Sequence, residues 1–78
     1  MTGPDELTRW HELGERVRYY RALRGWTQGR LGRVLGWDSQ AVSAVKLGRA
    51  AVDPADLRPL ADALGVTLAR LAGEEPPR

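Results

Sequence analysis

The sequence predicts an all-α fold, a compact bundle of about five short helices, and three observations carry that prediction. Apolar residues recur at three- and four-residue steps, with no stretch of strand-like alternation. The composition is led by Leu, Ala, Arg and Gly and lacks both Phe and Ile, which suits helices better than sheets. Glycines fall where one apolar stripe stops, and a residue that likes to cap a helix follows soon after, as in Gly25-Trp26-Thr27 and Gly36-Trp37-Asp38.

At 78 residues the chain makes one small domain near the lower limit for a self-supporting core. It has no cysteine, so neither a disulfide nor a thiolate metal site can stabilise it, and no metal or cofactor is expected. Helix packing, helped by self-association, must do so instead. No apolar run approaches the roughly 18 residues of a membrane span, and no signal peptide opens the chain. The expectation is a cytoplasmic protein.

The elements follow in order. Residues 1–12 read as an N-terminal extension, partly helical and continuous with the first helix of a domain at 13–72. Leu7, Trp10, Leu13, Val17, Tyr20 and Leu23 form one face of that helix, which starts near Pro4 or Asp5, or as late as His11. Gly14 weakens its middle, and Gly25 ends it in a left-handed conformation. Tyr19 and Tyr20 are neighbours and face different ways, so at least one belongs to the core. Thr27 caps a second helix with Leu31, Val34 and Leu35 inward, ended by Gly36. Asp38 or Ser39 caps a third, with Val42 and Val45 inward, finishing before Gly48.

Asp53-Pro54 pairs an N-cap with a first-turn proline and opens a fourth helix with Leu57, Leu60, Ala61 and Leu64 inward. Pro59 predicts a kink there, or a delayed start at Asp56. Gly65 ends that helix, and Thr67 caps a last short one through Leu68 and Leu71. Residues 73–78, with two prolines, read as a frayed tail.

Charge is unevenly spread. Residues 1–15 carry a net −3 and residues 50–78 a net −2. Between them, residues 16–49 set eight basic side chains against Asp38 alone, a net +7. A basic block between acidic flanks points to a polyanion at the centre of the chain.

Two helices joined by a tight glycine turn at that centre describe a helix-turn-helix. Counted from Gln28, the fifth residue is the small Gly32, which lets the two helices approach closely, and the ninth is the turn glycine, Gly36. Leu31, Leu35, Val42 and Val45, the fourth, eighth, fifteenth and eighteenth residues, fasten both helices to the core. The outer face of the second helix is left free to enter a major groove.

With these residues in place, the chain resembles the XRE/lambda-repressor-like family of helix-turn-helix regulators over roughly residues 13–72. The matching stretches are LGERVRYYRALRGWTQ, LGRVLGWDSQAVSAV, LGR and LADALGVTLARL. The resemblance implies a five-helix, lambda-repressor-like bundle that binds duplex DNA, with a recognition helix at about 39–46. It also implies a phosphate contact for Gln28, base-facing positions for Ser39, Gln40, Ser43 and Ala44, and backbone contacts for Arg33, Lys46 and Arg49. Gln40 is the strongest base reader, because its amide can pair with adenine N6 and N7.

Departures from the family pattern are informative. An arginine in the family's first helix is usually paired with a glutamate. Here Arg21 holds the arginine's place and Lys46 the glutamate's, so Arg21 must turn outward, find another acid or serve a phosphate. Gly29 and Gly32 together weaken the second helix by on the order of 1–2 kcal/mol in propensity. Trp37 stands where a small aliphatic residue is usual. The recognition helix has no Arg of its own, so DNA shape is expected to share in any reading of sequence.

Catalysis is not expected, since the single histidine, His11, lies among acids with no accompanying nucleophile, phosphate loop or metal spacing. The alternative function is a protein-interaction or dimerisation module that keeps the fold with weak or no DNA binding. It would use Leu7, Trp10 and Trp37 as anchors for a partner protein or a second copy of the chain, through the N-terminal helix.

Overall fold

The computed structural model describes the backbone of residues 4–74 and the side chains of residues 8–74. Expectations for residues 1–3, the Leu7 side chain and residues 75–78 lie outside that range. Five helices follow one another: α1 (Pro4–Leu23), α2 (Gln28–Leu35), α3 (Ser39–Lys46), α4 (Pro54–Leu64) and α5 (Leu68–Leu71). They enclose one core within 33 × 28 × 20 Å. None among the described residues is long and apolar enough to cross a membrane.

Side-chain caps start four of these helices. Thr27, Asp38, Asp53 and Thr67 accept the N–H groups of Arg30, Ala41, Ala55 and Arg70, at 3.1, 2.7, 2.8 and 3.1 Å. Each satisfies an amide that no turn of helix can reach. Asp38, not Ser39, takes the role at α3, which leaves the Ser39 hydroxyl outside the cap.

The helices also stop alike. At the α2–α3 turn, Gly36 N–H bonds to Arg33 C=O at 3.4 Å and Trp37 N–H to Gly32 C=O at 2.8 Å. That crossed pair needs a left-handed residue at its centre, and Gly36 supplies it with φ 73°. The same pair of bonds recurs after α1, α3, α4 and α5. A repeated glycine stop and polar start therefore packs five helices into one short chain.

Leu13, Val17 and Tyr20 of α1 meet Leu31, Val42, Val45, Leu60, Leu64 and Leu71 in the centre. Leu31 and Leu60 have 0% exposure, and each contributes roughly 1.5–3 kcal/mol relative to a solvated side chain. Val52, in the segment between α3 and α4, joins this core from outside any helix.

Two apolar residues expected to face inward do not. Val34 is 53% exposed and Leu23 60% exposed. At about 100° per residue, Leu31, Gly32 and Leu35 define the inward direction of α2, and Val34 points roughly a quarter-turn away. Leu23 is similarly offset from the Leu13–Val17–Tyr20 stripe. Leu68 is also exposed, so α5 is held to the core by Leu71. Tyr20 is buried and Tyr19 exposed, their rings edge-to-face at 5.2 Å.

Nor does Pro59 delay α4, which begins at Pro54 and runs unbroken through Pro59 to Leu64. The Asp53 cap and the first-turn proline fix the start, and Pro59 omits one helical bond on an exposed face. α1 likewise begins at Pro4 and continues through Gly14 without interruption.

Candidate nucleic-acid interface

α3 is anchored from behind on both sides. Val42 and Val45 are buried beneath it. On the α2 side, a Cβ added at Gly32 would lie 2.8 Å from Trp37 C=O and 3.2 Å from a Val42 methyl, so only glycine allows this approach. On the α1 side, Gly14 faces the Val45 and Lys46 carbonyls closely enough that any side chain would collide. The glycine that weakens α1 by propensity is therefore what lets α1 brace the C-terminal end of α3.

With its back fixed, α3 turns Ser39 and Gln40 to solvent, while Ser43 and Ala44 are half-buried along the same helix. Arg33, in the last turn of α2, and Arg49, just after α3, are exposed as well. Arg49 is positioned by its own backbone, because its N–H bonds to Ala44 C=O at 2.8 Å and closes α3. Asp38 is the one acid between residues 16 and 52, and its carboxylate is engaged at the α3 N-terminus.

Gln28 spans the two helices with its side-chain amide. Its Nε2 donates to Ser39 C=O at 3.3 Å, and its Oε1 accepts from Lys46 Nζ at 3.1 Å. The first residue of α2 is thereby tied to both the first and the last residue of α3. Lys46 reaches back because helical side chains lean toward the N-terminus of their helix.

Arg21 meets a backbone carbonyl rather than another acid. Its Nη1 donates to Trp26 C=O at 2.7 Å, so a backbone carbonyl serves where the family has a carboxylate. Around the same Trp26 ring, Arg24 and Arg30 place their guanidinium carbons 4.5 and 4.8 Å from the centroid. These three arginines extend the basic surface beside α2, and the sequence reading did not single out Arg24 or Arg30. Arginines two residues before and four after a tryptophan in a helix-start segment were the available signal.

Trp37 is half-buried against the core. Trp10 is also half-buried against the core and lines an open groove of about 630 Å³ with Leu13, Val52, Leu57 and Leu68. His11 is exposed, its backbone pressed against Gly48. No three His, Asp or Glu side chains among the described residues group as a metal site requires.

Comparison with known proteins gives the same architecture. Residues 12–72 match the family of helix-turn-helix domains. The restriction-modification controller protein C.AhdI from Aeromonas hydrophila is 28% identical in sequence, with a TM-score of 0.79 over 86% of this chain and 97% of that one. A hypothetical transcription factor from Neisseria, NHTF, is 35% identical, with a TM-score of 0.79 over 95% of this chain and 83% of that one. No curated protein sequence matches the chain.

Proposed function

This chain belongs to the XRE/lambda-repressor-like helix-turn-helix family, and on that premise we propose that it is a transcriptional regulator that binds duplex DNA with α3 in the major groove. One observation carries the reading. The last turn of α2, α3 itself and the turn after it carry Arg33, Lys46 and Arg49, while the one carboxylate among them, Asp38, is engaged as a cap. The controller protein and the transcription factor among the structural neighbours support a regulatory role.

On this reading Gln40 meets a base edge and Ser39 a base or a phosphate. Ser43 and Ala44 line the contact without reaching deeply into the groove, since both are half-buried. Arg33 and Arg49 meet the sugar-phosphate backbone. With so little hydrogen-bonding capacity on α3, DNA shape contributes to sequence preference. Enrichment from a random duplex pool tests the proposal: a recovered common motif supports it, and a pool that stays random removes the sequence-reading half.

The groove beside Trp10 favours a second reading, a dimerisation or protein-interaction surface on the N-terminal half of α1. Its occupant is taken to be a second copy of the chain. Helix-turn-helix dimers set their recognition helices about 34 Å apart, so a dimer through this surface would be expected to read two half-sites one helical turn of duplex apart. The two readings are compatible, and sedimentation with and without duplex DNA separates them.

A further inference from the structure

We propose that Lys46 is a positioning residue, which holds the Gln28 amide in the one orientation that locks α3 to α2 for DNA binding. The inference rests on α3 being the recognition helix. It goes beyond that reading by giving Lys46 a task other than touching phosphate.

The polarity of the amide makes the case. Gln28 Oε1 faces the Lys46 ammonium at 3.1 Å, and Nε2 faces the Ser39 carbonyl at 3.3 Å. An ammonium only donates and a carbonyl only accepts, so both contacts are complementary in this orientation. Turning the amide over would set NH₂ against ammonium and oxygen against oxygen, two repulsive contacts at once. The charge of Lys46 therefore selects the rotamer that reaches Ser39.

Among the described residues, no carboxylate is paired with the Lys46 ammonium. Glu12 is paired instead with Arg16, at 3.6 Å within α1. Both Lys46 and Gln28 are half-buried, so water screens their contact less than it would an exposed pair. A carboxylate at position 46 would draw Nε2 toward itself and leave Ser39 C=O without its donor. Lysine at this position thus replaces one interhelical tie, acid to Arg21, with another that runs through Gln28. The tie fixes the crossing of α2 and α3, and hence the angle at which Ser39 and Gln40 are presented.

The test is a double-mutant cycle of Lys46→Met and Gln28→Met, read as the preference for an enriched duplex over random duplex. Each single change is expected to lower that preference on the order of tenfold, and the double change no further than the larger single one. Lys46→Arg, which can still donate to Oε1, should restore most of it. Without DNA, the two Gln28 side-chain amide proton resonances should move in Lys46→Met toward those of a free glutamine. If Lys46→Met weakens all duplexes equally, adds fully to Gln28→Met and leaves those resonances in place, the proposal is overturned and Lys46 is a phosphate contact alone. Failure of the unmodified protein to bind any duplex overturns the underlying reading instead, a result distinct from intact preference in Lys46→Met.

Discussion

Gly14 of α1 lies against Val45 of α3 so closely that a Cβ on Gly14 would stand 2.5 Å from the Val45 carbonyl oxygen. The obstacle is backbone, which cannot rotate aside. Gly14→Ala should therefore destabilise the fold by about 1–3 kcal/mol, although alanine is the better helix former. Gly29, in α2, meets only the Thr27 hydroxyl, at 3.9 Å. There the same substitution should stabilise by about 0.4–1 kcal/mol. Thermal unfolding of the two variants reads the opposite signs, at roughly 4–8 °C per kcal/mol in a domain this small. Shifts in the same direction would contradict the packing of α1 on α3.

Asp38 has two effects that substitution can separate. Its carboxylate caps α3 at 2.7 Å and also places a negative charge at the proposed DNA surface. Asp38→Ala should cost about 1 kcal/mol of stability through the lost cap. Asp38→Asn keeps a capping oxygen, so it should fold nearly as well and bind duplex DNA more tightly at low salt. Weaker binding by a well-folded Asp38→Asn would show that this end of α3 does not approach phosphate.

Gln40 and Arg49 have different expected roles. Gln40→Ala should cost about 1–3 kcal/mol on a preferred site and little on random duplex, relaxing one base pair. Arg49→Ala should weaken all sequences alike. Both side chains are exposed, so neither change should lower the melting temperature. Equal losses on specific and random DNA for Gln40→Ala would remove its base-reading role.

Trp10 sits half-buried at the edge of the core and on the wall of the groove. Trp10→Ala should lower stability by about 1–3 kcal/mol, or shift the oligomeric state in sedimentation, because an indole contributes heavily in so small a domain. If both measurements stayed unchanged, Trp10 would support neither the bundle nor a second copy.

Which features were legible in the sequence depends on how far apart their parts lie. Thr27, Gly36, Asp53-Pro54 and Thr67 act on amides and carbonyls within a turn, so their roles follow from residue type and spacing. Val34 was misplaced because in an eight-residue helix the inward direction is set by a few side chains, and another helix decides which. Gly14 read as a weakness because its justification, the carbonyl of Val45, lies on another helix. The Lys46–Gln28 contact joins residues 18 apart through side-chain polarity, which no helical period records. Arg21 was seen to lack its acid, but the Trp26 carbonyl that replaces it could not be chosen from sequence alone.

The most direct test of DNA binding is a salt titration of affinity for duplex DNA, with and without random competitor. The account predicts that log affinity falls linearly with log salt, by roughly 0.9 for each phosphate neutralised. With Arg33 and Arg49 as the proposed phosphate contacts, the slope should have a magnitude of about 2 or more per domain, and Arg49→Ala should reduce it by about one. No binding at low salt, or binding indifferent to salt, would contradict the account.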